Sequence, residues 1–109
     1  MKVLIDGLNI FYSEKVRLVK TLMKREYPEE YNTLFKWALQ MLYFNGNNWI
    51  EICRIDNYIH KNQTGSHVHY YKQDAVKRVD ISFKDAELVI KEISARILKE
   101  KFKERIEFD

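Results

Sequence analysis

The chain has 109 residues, of which 46% are apolar, 14% aromatic and 32% charged, with three Gly and one Pro. That composition excludes a disordered or collagen-like chain and suits one domain, residues 1–109, with room for a sheet and one or two helices. A net charge of +3 suits an anionic partner without being the basic excess of a nucleic-acid-coating protein, and the single Cys53 excludes an internal disulfide and a zinc site built from several thiolates.

The first stretch, from Lys2 to about Leu22, alternates as extended structure, with Val3 and Ile5 on one face and Val16 and Leu18 set against Lys15 and Arg17; a helix over Glu14 to Lys24 is the alternative. Within it, VLIDGLNI delivers Asp6 at the end of an apolar run, as several metal-dependent nucleases present a first carboxylate. PIN-like nucleases gather three or four acids from parallel strands separated by helices, because bridged metal ions need that density of negative charge. No such alternation follows Asp6, so Asp6 is expected to be structural, a turn or strand-end residue beside Gly7.

Arg25 to Asn32 reads as a polar connection around Pro28. In TLFKWALQMLYF, period two places Phe35, Trp37, Leu39, Met41 and Tyr43 on one face, and Asn45-Gly46 predicts a hairpin turn returning through a strand from Trp49 to Asp56. Strict alternation in that strand puts Ile50, Ile52, Arg54 and Asp56 together, while Cys53 reads as a small buried hydrophobe. After the polar loop NYIHKNQTG, SHVHYYK is a short strand and AVKRVDISF a further candidate strand.

Ser82 opens the clearest element. Ser82-Phe83-Lys84-Asp85 resembles a capping box, and Phe83, Ala86, Ile90, Ile93 and Ile97 follow helical spacing, with Glu87–Lys91 and Glu92–Arg96 as outward pairs. The tail KEKFKERIEFD reads as a solvated helix end. The expected fold is therefore α+β, a single domain of mostly antiparallel sheet with hairpins, covered by a long C-terminal helix. No run approaches the ~20 apolar residues of a membrane span. The expected setting is the cytoplasm, with no membrane partner.

The chemistry concentrates in RIDNYIHKNQTGSHVHYY. All three histidines, His60, His67 and His69, fall within ten residues, just after Arg54, Asp56 and Asn57. On a strand, His67 and His69 project from one face. Such a set could ligate a metal with His60 and Asp56, serve as general acid and base, or hold phosphate beside Arg54. The plain alternative is a hydrogen-bonded polar sheet edge.

Arg54-Ile55-Asp56-Asn57, then His60, then His67-Val68-His69, then the amphipathic helix, resembles the TumE-type toxins of prokaryotic toxin–antitoxin modules. The likeness runs from Arg54 to about Ile97; family patterns often read Arg-Tyr-Asp-Asn, then His, then His-x-His or His-His-x-His. Ile55 stands here in place of the aromatic, and KNQTGS lengthens the loop. The resemblance implies a toxin neutralised by a helix-turn-helix antitoxin and acting on RNA or translation.

Both lines of reading meet on metal-free RNA cleavage without a cofactor. His67 and His69 would supply base and acid, Arg54 the phosphate contact, Asp56 the orientation of an imidazole, with His60 beside them; Asn57, Tyr70, Tyr71 and Trp49 are the candidate RNA contacts. The alternatives are a non-catalytic RNA- or protein-binding module and a PIN-like nuclease built on Asp6; a homo-oligomer is compatible with each.

Overall fold

The computed structural model describes residues 1–59, 64–72 and 76–108. Six strands run in chain order across one antiparallel sheet: β1 (Lys2–Phe11), β2 (Val16–Lys24), β3 (Phe35–Phe44), β4 (Trp49–Asp56), β5 (His67–Tyr70) and β6 (Val76–Arg78). Among the described residues one α-helix, α1 (Phe83–Phe102), packs over β3 and β4. The architecture is the α+β arrangement expected from the sequence, with Val16–Lys24 a strand rather than a helix.

The turns follow from local chemistry. Asn45 Oδ1 accepts from the N–H groups of Asn47 and Asn48 at 2.9 Å each, and Gly46 takes φ +101, a region that strains any residue with a Cβ. In the connection after β2, a short 3-10 turn at Pro28–Glu30 begins on the proline, whose missing N–H costs nothing there.

Antiparallel partners share a face, so the register sorts the side chains. Facing α1 are Leu18, Met41, Cys53 and Tyr70 in one row and Leu39, Ile55 and Val68 in the next, with Trp37 and Leu22 beyond. The helix answers with Ala86, Ile90, Ser94 and Leu98, spaced four apart and all fully buried. Burying each of Ile90 and Leu98 contributes about 1.5–3 kcal/mol, while Ser94 is small enough to admit the sheet closely. The stripe is centred one position further round than a line through Ile93 and Ile97, which are only partly buried.

Ser82 Oγ accepts from the Asp85 N–H at 3.1 Å and caps the helix. At the other end Lys103 takes φ 55 and the Glu104 N–H returns to the Leu98 carbonyl at 3.0 Å, which stops the helix. The chain beyond is not a solvated helix end: Phe108 packs edge-on against Tyr12 with centroids 4.8 Å apart, Ile106 joins the same apolar cluster, and Tyr43 donates to Glu104 at 3.1 Å.

Burial pushes the Cys53 thiol up from its ordinary 9.0 to about 12, helped by the nearby Glu51 charge. The stabilisation from keeping it neutral is intact below pH 9.0 and is lost as the pH rises toward 12. At pH 8, iodoacetamide should label the folded protein far more slowly than the urea-unfolded chain; equal rates would show that the thiol is not enclosed.

Candidate functional site

The face of the sheet turned away from α1 carries the polar constellation. A β-bulge puts it there. Met41 pairs with Cys53 but Leu42 pairs with Glu51, so Ile52 is an extra residue and the alternation of β4 changes phase at that point. Ile50, partnered with Tyr43, and Ile52 belong to the core cluster, whereas Arg54 and Asp56 face the other way. The expected common face of Ile50, Ile52, Arg54 and Asp56 is corrected accordingly.

Two adjacent rows cross the open face. In one, Ala38, Asp56, His67 and Arg78 are successive partners; in the next, Gln40, Arg54, His69 and Val76. His67 and His69 do share a face, two residues apart on β5. The Asp56 side chain is fully buried, and its Oδ2 receives Arg54 Nε at 2.8 Å and lies 3.3 Å from His69 Nε2. Its Oδ1 accepts from the Tyr58 N–H at 2.9 Å. A carboxylate taken out of water is sustained only by such a set of charged and donor groups.

The two imidazoles differ in access. The His69 side chain keeps 25% of its surface, whereas His67 keeps 1% of its own. His69 can therefore meet a substrate; His67 is an interior residue beside Asp56. The expected acid–base pair thus consists of one half-buried imidazole and one buried imidazole. His60 lies outside the described residues.

A roof of aromatic and basic groups borders the site. Arg54 Cζ lies 5.3 Å from the Tyr58 ring centroid, Lys36 Nζ lies 4.7 Å from Tyr58 and 5.3 Å from Tyr31, and the Tyr31 hydroxyl donates to the Asn57 carbonyl. Burial pushes both phenols up, so they stay neutral through the physiological range. Arg54 spends Nε on Asp56, which does not consume the Nη edge that could face a phosphate.

The expected RNA contacts divide. Asn57 commits its amide to β3, with Oδ1 accepting from Trp37 N–H at 2.8 Å and Nδ2 donating to the Phe35 carbonyl at 2.7 Å, so its place is structural. Tyr70 partners Cys53 on the helix side, and Tyr71 packs on Phe102 with centroids 5.2 Å apart; neither joins the face of His69. Trp49 partners Phe44 on the face turned away from α1 and is half-buried. Tyr58 and Lys36 border the site although the sequence reading passed over them, because only register and loop path bring them to Arg54.

Asp6 is exposed on the edge strand β1, within the irregular stretch between Ile5 and Leu8 that also holds Gly7 at φ +62, with Asn9 Nδ2 donating to the Gly7 carbonyl at 2.9 Å. It is separated from Asp56 by β2 and β3. Among the described residues no group of three or more His, Cys, Asp and Glu is arranged to hold a metal ion. An apolar recess of about 570 Å³ opens elsewhere, on the helix side between Leu22, Phe35, Trp37, Ile81 and Phe83, and it is not lined by Arg54, His67 or His69.

No protein-family model, curated protein or solved structure matches the chain. Among the described residues no helix is long and apolar enough to cross a membrane.

Proposed function

We propose that this protein is the RNA-targeting toxin of a toxin–antitoxin pair, a cytoplasmic metal-independent endoribonuclease restrained by a helix-turn-helix antitoxin. The observation that carries the catalytic part is the accessible His69 held 3.3 Å from a fully buried Asp56 that also pairs with Arg54. In this reading His69 accepts the proton of a ribose 2′-OH, and Asp56 steadies the imidazolium that results. The 2′-oxygen attacks phosphorus, Arg54 balances the charge that gathers on the phosphoryl oxygens, and the imidazolium returns its proton to the departing 5′-oxygen. The products are a 2′,3′-cyclic phosphate and a 5′-hydroxyl. The resemblance of the segment from Arg54 to Ile97 to TumE-type toxins supports the cellular role and the antitoxin partner.

A second reading, an RNA- or protein-binding module without catalysis, draws on the burial of His67, which leaves His69 as the accessible member of that pair. Incubating the purified protein with single-stranded RNA in EDTA separates the two. Cleavage leaving cyclic phosphate ends is expected, and replacing the ribose 5′ to the scissile bond by deoxyribose should stop it. Intact RNA after prolonged incubation, or cleavage only with added Mg²⁺, would count against this reading.

A further inference from the structure

At the opposite end of the same open sheet face, away from His69, lies a group that the acid–base site does not use. Trp49 forms its centre. Phe44 meets Trp49 with centroids 5.4 Å apart and Phe11 meets it edge-on at 6.3 Å. The Arg17 guanidinium lies over the indole, its Cζ 4.4 Å from the Trp49 centroid and 6.0 Å from that of Phe11. Arg17 Nε is buried and has no hydrogen-bond partner among the described residues, so rings rather than a carboxylate position this cation. Phe11, at the end of the edge strand β1, is 58% exposed.

An aromatic patch with one exposed ring and a guanidinium seated over its half-buried indole matches a short list of ligands. Isolated apolar side chains on a surface are ordinary, but a cation over an indole beside the exposed Phe11 ring presents both a π-face and a positive charge. A nucleobase stacks on the first and its phosphate meets the second, in a manner that tolerates any sequence. Duplex RNA buries its base faces; single strands offer them. We infer that Phe11, Arg17 and Trp49 form a base-stacking subsite for single-stranded RNA, which deepens the proposed function and rests on its choice of RNA as the target.

The placement fits one strand serving both sites. From Gln40, in the row of Arg54 and His69, to Phe44, the partner of Trp49, is four residues along β3, or about 13 Å at the strand rise. An extended strand covers that distance with a few nucleotides. Glu51, the acid beside this path, accepts from Gln40 Nε2 through Oε2 at 3.0 Å. The stacking subsite would thus anchor the strand and fix which phosphate reaches His69.

The test separates binding from cleavage. A fluorescent single-stranded RNA of about twelve nucleotides, long enough for both sites and 2′-O-methylated throughout so that it cannot be cut, is titrated with the full chain and read by anisotropy. Phe11→Ala should weaken binding by about 5- to 100-fold, and Phe11→Tyr should restore it, as the loss and return of one stacked base require. Arg17→Gln should weaken binding and lower the magnitude of the salt slope by about 1. Binding to an equally modified RNA duplex should not depend on Phe11.

An affinity of Phe11→Ala within twofold of the parent, or no binding of the single strand by the parent, would overturn the subsite. So would a Phe11→Ala variant that loses an antitoxin partner while keeping RNA affinity, since the patch would then be a protein contact. If the parent binds in a Phe11-dependent way but cleaves no unmodified RNA, the subsite stands and the nuclease reading falls.

Discussion

His69→Gln is expected to lower RNA cleavage by about 10²–10⁴-fold, the usual contribution of a positioned proton-transfer group, while RNA affinity stays near that of the parent. Glutamine is chosen because its amide can still donate toward Asp56 Oδ2, where His69 Nε2 lies at 3.3 Å, but it cannot carry a transferable proton near neutral pH. The fold should tolerate the change. Arg54 continues to hold Asp56 at 2.8 Å, and loss of one hydrogen bond at a partly exposed position costs about 1 kcal/mol. Single-turnover cleavage together with a urea melt reads both quantities. A variant that cuts within a few-fold of the parent would remove His69 from proton transfer, whatever the RNA affinity. A variant that neither folds nor binds would instead assign the imidazole to the architecture. His67→Ala should behave differently from a surface substitution, because a side chain with 1% exposure leaves a cavity when it is cut back.

Period-two patterning was strong wherever a strand has one face in the core and one outside it, as in β3, where Trp37, Leu39, Met41 and Tyr43 are all buried facing α1. The Asn45-Gly46 turn and the Ser82 cap were equally readable, since each rests on the chemistry of one or two residues. Phase was not readable across a bulge. Nothing local to Ile52 announces that two residues there oppose one on β3, so the partners of Arg54 could not be counted back from Ile50. Burial at the site was hidden for a related reason. His67 and His69 look equivalent along β5, but His67 lies in the row of Ala38 and Asp56 and His69 in the row of Gln40 and Arg54, and only the fold shows which row is covered. Tyr70 and Tyr71 were drawn to RNA by their residue type, whereas their register and packing send them to the helix side. The pairing of Phe11 and Arg17 with Trp49 joins three strands, and no short-range pattern encodes it.

The sharpest contrast between two acids should be that of Asp56→Asn with Asp6→Asn. Asn at 56 keeps an oxygen for the Tyr58 N–H, now 2.9 Å from Oδ1, but turns an NH₂ toward the Nε–H of Arg54, so two donors meet where a donor met a charge. Removing one member of a buried ion pair typically costs about 3–5 kcal/mol. The Arg54 and His69 side chains keep 27% and 25% exposure, so water reaches part of their charge and about 2–4 kcal/mol is the expected loss here. Asp6 is exposed on the outer strand, with β2 and β3 between it and β4, and Asp6→Asn should stay within ~0.5 kcal/mol of the parent. Urea midpoints at a common m-value give both numbers. Cleavage should follow the same order at a temperature where both variants are folded: Asp56→Asn loses rate with RNA affinity kept, because its task is to position His69, and Asp6→Asn stays within a few-fold. The reverse pattern, a stable but inactive Asp6→Asn in a Mg²⁺-dependent assay beside an active Asp56→Asn, would move the chemistry to β1. It would require acidic partners around Asp6 that an antiparallel meander keeps apart, since a lone carboxylate leaves Mg²⁺ mostly hydrated.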